Sequence, residues 1–457
     1  MSLASAQPQK SRQLELFAED RGEAPNVGGS VEARAATNET ERSGSSDLMA
    51  EVLERQNLQA AWKRVKRNQG SPGVDGMTVG ELPEYLRSHW PSIREQLQAG
   101  SYQPSEVKQQ LIPKSGGGMR QLGIPTVLDR FIQQALLQVL QRQYEPTFSE
   151  HSYGFRPGKS AHQAVRAARS YVEQGRRVVV DVDLSKFFDR VNHDVLMGRL
   201  ARRIVDKAIL RLIRRYLEAG ILSNGVVMER REGTPQGGPL SPLLANILLD
   251  EVDQELSKRQ HKFARYADDL NVYVRTKRAG ERVMAGLRKL FGKLRLVINE
   301  DKSAIGSAFQ RQFLGFSLWT APGKKVRHRV SGKALHAMKT RVRQQTRRTR
   351  GRNLEQIVEE LNTYLRGWKG YFRLAQTPQL FSELDQWIRH RLRAVQLAQW
   401  KRGRTVFREL RARGMTKEGA AKVAANTRRW WRNSAMLIHK ALPNRYFDQL
   451  GLVRLAT

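Results

Sequence analysis

Cysteine is absent from the 457 residues, which excludes disulfides, cysteine-ligated zinc and thiol catalysis and leaves any metal to oxygen or imidazole donors. Acidic side chains are scarce beside basic ones. There are 44 Asp and Glu against 80 Lys and Arg, for a formal charge of +36 and a pI near 10.9. That excess is far beyond what solubility needs and implies a polyanionic partner. Long apolar runs are also missing: stretches such as Leu243–Leu249 fall far short of the roughly 18 residues that span a bilayer. No membrane association is expected, and nucleic acid is the better match for the charge. The N-terminus has no apolar stretch behind a basic start, so a cytoplasmic protein is expected. Large apolar residues are sparse before about Ser46, beyond Leu14, Leu16 and Phe17, and residues 1–46 are expected to be disordered.

What remains is too long for one core and suggests about three units in all. Apolar residues return at helical spacing from Asp47, a candidate N-cap, through Leu48, Val52, Leu58, Trp62 and Val65. Between about Leu111 and Leu318 the periods of helix and strand alternate. Arg176–Leu184 reads as a buried strand, Ala161–Glu173 and His193–Leu200 as flanking helices, and Phe263–Val274 as a hairpin. This is α+β patterning. From about Ser331 helix follows helix, and Ala321–Thr457 carries 32 basic against 8 acidic residues, two thirds of the net charge. Ala321–Gly323 and the Gly403–Gly414 region read as short linkers.

Two segments place acids where apolar strands end: DVDLSKFFDRVN (Asp181–Asn192) and RYADDLNVYV (Arg265–Val274). Nucleotidyl transfer uses two divalent ions about 3.5–4 Å apart, and hard Mg²⁺ prefers carboxylate oxygen. Asp183, Asp268 and Asp269 fit that role. An isolated Asp-Asp pair is usually turn chemistry, but here it lies between two apolar strands, downstream of DVDLSKFFD and GTPQGGPLSPLLAN.

That ordered combination resembles reverse transcriptases, with YADD at Tyr266–Asp269. HSYGFRPGKSAHQAV (His151–Val165) and GTPQGGPLSPLLANILLDEVD (Gly233–Asp253) resemble the group II intron-encoded branch. The resemblance implies an α+β right-hand polymerase followed by an all-α thumb/maturase and a basic helical C-terminal region. Fingers and palm would occupy 47–320, the thumb/maturase domain 321–402 and a basic DNA-binding region 403–457. It further implies two Mg²⁺, with Mn²⁺ as a substitute, held by Asp183, Asp268, Asp269 and the Leu184 carbonyl, Asp269 being the less direct ligand. Asp181 and Asp189 are weaker candidates, Asp189 as a cap of the next helix.

By the same resemblance Phe188 is the steric gate under the incoming sugar, and Phe187 is assigned to the core because neighbouring strand residues face opposite ways. Lys114 and Arg120, around a glycine run in LIPKSGGGMRQLGIP, would close on the triphosphate. Gln236 would pack beside the nascent pair, with Gly237 and Gly238 allowing close backbone approach.

LRGWKGYFR (Leu365–Arg373) resembles the maturase domain. Leu361, Leu365 and Trp368 fall on one helical face and read as core, while Arg366, Lys369 and Arg373 read as RNA contacts. Thr427–Leu452 resembles the DNA-binding region that follows. Many relatives continue into an HNH endonuclease with zinc-binding cysteines, and that domain is expected to be absent. The expected function is RNA-directed DNA synthesis with dNTPs, on a group II intron RNA whose splicing the protein assists, during target-primed insertion into target DNA. The expected setting is the bacterial cytoplasm, with nucleoid association during integration. The alternatives are a CRISPR-associated reverse transcriptase and a non-catalytic splicing cofactor. Oligomeric state stays open.

Overall fold

The computed structural model describes residues 48–113, 118–223, 226–228, 230, 232–435 and 437–456. The expected disordered segment 1–46, the Asp47 cap and Lys114 lie outside the described residues. The chain divides into two compact units between Leu314 and Gly315, ahead of the expected boundary at 320/321.

In the unit up to Leu314, α1 (Leu48–Val52), α2 (Arg55–Asn68) and α3 (Leu82–Gln98) precede β1 (Val107–Pro113) and β2 (Met119–Ile124). Then come α4 (Val127–Tyr144), α5 (Ala161–Glu173), β3 (Val178–Val182), α6 (His193–Leu200), α7 (Lys207–Glu218), β4 (Ile221–Ser223) and β5 (Val226–Met228). The unit ends with α8 (Ser241–Lys258), β6 (Lys262–Tyr266), β7 (Asp269–Val274), α9 (Lys277–Lys293), β8 (Ala304–Ser307) and β9 (Gln312–Phe313). Local chemistry sets the helix starts: a Ser160–Gln163 capping box opens α5, and Asn192 accepts from the Val195 N–H at 3.0 Å to open α6. Asn192, rather than Asp189, is therefore the cap of α6.

β2–β1–β4–β5 form one sheet, with β1 and β4 parallel. The second sheet, β6–β7–β3–β8, is antiparallel throughout. Its two faces follow from the period of two. Val180 and Val274 meet α9 across Gly280, while Tyr273 on the opposite face meets Tyr171 of α5 at 5.7 Å between ring centroids. Covered on both sides, β7 is buried from Leu270 to Val274. The core continues through Leu244, Leu248 and Val252 of α8.

The unit from Gly315 begins with a hairpin, β10 (Phe316–Thr320) paired to β11 (Val326–Val330). Ala321–Gly323, read from sequence as a linker, belongs to its turn. Helices follow: α10 (Gly332–Gln345), α11 (Leu354–Phe372), α12 (Pro378–Gln399), α13 (Gly403–Ala412), α14 (Lys417–Ala425), α15 (Trp430–Ala435) and α16 (Asn444–Gln449). The Gly403–Gly414 linker is in fact mostly α13, which buries Val406 and Leu410 four residues apart on one face. Leu361, Leu365 and Trp368 are buried in α11, as their spacing predicts. Among the described residues no helix is long and apolar enough to cross a membrane.

Candidate active site

The antiparallel register pairs Asp181 with Asn271 and Val182 with Leu270. Asp183, one residue past the end of β3, thus comes opposite Asp269 at the start of β7. Asp181, Asp183 and Asp269 share the odd-numbered face, and Asp268 lies in the turn between Tyr266 and Asp269, which pair with each other. Ala267, the first residue of that turn, has φ +58, a left-handed conformation that tight hairpins need at this position and side chains resist.

Four carboxylates so close in a partly dry place repel one another. Burial pushes the Asp269 carboxyl well above the usual range, and Asp181, Asp268 and Asp183 push it further. Asp268 is raised by burial and by Asp183, against the opposing pull of its own backbone hydrogen bond, Arg120 and Arg265. Asp181 is raised by burial and held back by Arg311, whose Nε and Nη2 reach it at 2.9 and 2.6 Å. With its amide turned to donate, Asn271 adds a hydrogen bond to Asp181 Oδ1 at 2.9 Å. Lys302 Nζ lies 3.3 Å from Asp183 Oδ2, while Asn299 N–H donates to the Asp183 carbonyl at 2.8 Å and fixes its backbone. Among the described residues no three acidic or histidine side chains already converge as a finished coordination sphere. The donor chemistry nevertheless suits a hard divalent cation: oxygen ligands only, with mutual repulsion that positive charge relieves.

Residues 112–318 match the family described as reverse transcriptase (RNA-dependent DNA polymerase), and residues 335–414 match the group II intron maturase-specific domain. Protein YkfC of Escherichia coli K12 is 35% identical over 274 residues, 51% of this chain and 72% of YkfC. This chain belongs to the group II intron-encoded reverse transcriptases. The group II intron-encoded protein LtrA of Lactococcus lactis subsp. cremoris is 37% identical over 206 residues, 45% of this chain. The match spans only 34% of LtrA's own length. A solved chain from a partial Cas6-RT-Cas1–Cas2 complex is 25% identical, covering 54% of this chain and 43% of its own, at a TM-score of 0.34.

Around the palm of this reverse transcriptase, the residues expected to form the nucleotide pocket are placed as follows. Phe187 is buried and Phe188 half-buried, their ring centroids 5.1 Å apart. They diverge because residues 187–189 form a 3₁₀ turn, not because they alternate along a strand. Leu184, whose carbonyl is an expected ligand, is buried and bridged to Ile298. Arg120 is exposed on β2, and its charge is felt at Asp268. Gln236 Nε2 lies 3.5 Å from Asp189 Oδ1, and its carbonyl accepts from Gly123 N–H at 2.9 Å. Gly237, at φ +136, leaves room for the Gly123 carbonyl, so the close approach is to the chain itself.

In the C-terminal unit Arg366 is exposed on α11 and Arg373 is exposed at its C-cap. Lys369 is half-buried and donates one hydrogen bond to the Arg454 carbonyl at 2.9 Å. Tryptophans and cations interleave here: Arg348 lies over Trp430 at 4.3 Å, and His390 stacks on Trp431 at 3.8 Å.

Sequence reading missed the buried brace behind the YADD turn. Arg265 is 1% exposed. It binds Asp253 through Nε at 2.8 Å and Nη2 at 2.5 Å, and donates to Asn246 Oδ1 at 2.9 Å, Ser152 Oγ at 2.8 Å and the Ala267 carbonyl at 2.9 Å. Asn246 in turn donates to the Gly154 carbonyl at 2.9 Å. A Cβ on Gly154 would stand 2.2 Å from the Ala267 nitrogen. The two stretches that mark the intron-encoded branch thus converge on the turn that carries Asp268. The available signal was an arginine among apolar residues in FARYADDLNVYV, which demands a buried acid somewhere else in the chain.

Proposed function

We propose that the protein copies RNA into DNA with dNTPs at Asp183, Asp268 and Asp269, binds a group II intron RNA, assists its splicing, and primes cDNA synthesis from target DNA. The observation that carries the catalytic part is the opposition of Asp183 and Asp269 across β3 and β7, with Asp268 in the adjoining turn. Two Mg²⁺ ions, or Mn²⁺ in their place, would be held by these carboxylates with the Leu184 carbonyl. Bound there, they supply activation of the primer 3′-hydroxyl and neutralisation of the leaving pyrophosphate. The protein's own groups orient the reactants. Lys114 and Arg120 draw in the triphosphate, the Phe188 ring blocks a 2′-hydroxyl, and Gln236 lies beside the nascent pair. In the C-terminal unit, Arg366, Lys369 and Arg373 offer contacts to folded RNA, and the basic region 403–457 contacts the target DNA.

The test separates the two activities. Asp268→Ala with Asp269→Ala should lower primer extension on an RNA template by orders of magnitude, while protein-assisted splicing stays within a few fold of the parent. Loss of splicing by a variant that keeps its fold and its RNA affinity would refute the separation.

A further inference from the structure

The loop that braces the catalytic turn also presents a half-exposed aromatic ring beside that turn. Phe155 is 48% exposed and has φ +57, a strained backbone for a bulky residue and one that persists only where the surroundings impose it. Those surroundings are tight on both sides. Before Phe155, Tyr153 N–H donates to the Arg265 carbonyl at 2.8 Å and Gly154 abuts the Ala267 nitrogen. After it, buried Arg156 donates from Nη1 to the Ser149 carbonyl at 2.5 Å and the Ser152 carbonyl at 2.9 Å, and from Nε to Glu145 Oε1 at 2.9 Å. Held at both neighbours, the ring is turned outward 6.1 Å from that of Tyr266, their planes inclined by 42°.

Half of this ring lies against the fold and half is open, and residues held in strained backbone cluster at functional sites, so the open half is placed for a ligand. Tyr266 is two residues from Asp268. Because polymerisation requires the primer 3′-hydroxyl at the carboxylates, the strand lying over this turn is the primer. We propose that Phe155 is a primer-strand contact, its ring packing against the sugar and base of a nucleotide next to the growing 3′ end. This rests on the reading of Asp183, Asp268 and Asp269 as the polymerase site.

Phe155→Gly tests it, since glycine removes the ring and relieves the positive φ together. With a DNA primer annealed to an RNA template, the variant should show a KM for primer–template raised about ten-fold, the worth of one lost stacking contact. Its KM for dNTP should match the parent and its melting temperature should be no lower than the parent's, and Phe155→Tyr should keep the parent's primer–template KM. A Phe155→Gly enzyme that extends primers like the parent overturns the proposal, as does one whose melting temperature falls along with its activity. If the parent itself fails to extend while its melting curve shows it folded, the polymerase reading falls and takes this inference with it.

Discussion

Arg265→Met should destabilise the protein and disable it by separable routes. The substitution strands Asp253, which is fully buried, without its partner, and removing one half of a buried ion pair costs about 3–5 kcal/mol. Adding Asp253→Leu removes the stranded charge. What then stays unsatisfied is the Ala267 carbonyl with its neighbours Asn246 and Ser152, worth about 1–3 kcal/mol. The double variant should therefore recover roughly 2 kcal/mol in urea unfolding. Activity should not follow, because the hydrogen bond that locates the turn is missing from both variants, and a displacement of about 1 Å at a reacting centre costs on the order of a hundred-fold. Steady-state primer extension on variants shown to be folded at assay temperature measures this. Recovery of kcat in step with stability in the double variant would refute a positioning role for Arg265.

The remaining expectations concern the gate, the carboxylates and the basic helices. Phe188→Val should raise ribonucleotide incorporation relative to dNTPs, whereas Phe187→Ala should cost about 3–5 kcal/mol of stability; relaxed discrimination from the Phe187 change alone would reverse the assignment. Asp268 and Asp269 have raised carboxyl pKa values, so their contribution to stability is present below the ordinary value of 3.8 and lost as pH rises through the folded values. In chelator at neutral pH the double-alanine variant should accordingly melt no lower than the parent. Added Mg²⁺ should raise the parent's melting temperature alone, and an equal rise in the variant would place the ion elsewhere. Arg366→Gln with Arg373→Gln should weaken RNA binding and flatten its dependence on log salt by about one to two units, and an unchanged slope would remove these residues from the interface.

Elements with strong period and local caps were legible. The spacing of Ala161, Ala164, Val165, Ala168 and Val172 behind Ser160 gives α5 both its face and its start, and the apolar runs around Asp268 give the hairpin. Signals without a local mechanism were not. Arg402 provides no side-chain cap to α13, so Gly403 read as a break instead of the start of a helix. Ala321–Gly323 looked like a linker because a hairpin turn and a linker share composition. Phe187 is buried as assigned, but for another reason, since residues 187–189 form a 3₁₀ turn and not a strand. Of the candidate site, the acids were readable because chemistry restricts them to strand ends. The brace was not, because which acid pairs with Arg265 is decided by α8 packing on β6.

That brace also orders events in time. Arg265 and Ser152, which hold the turn together, are 113 residues apart in the chain, and closing so long a loop delays any contact that depends on it. The segments carrying Asp183 and His151–Arg156 leave the ribosome well before Asn246, Asp253 and Arg265, and domains fold as units once their last strand is available. A nascent chain therefore has no assembled palm sheet until β8 has been made and the loop has closed.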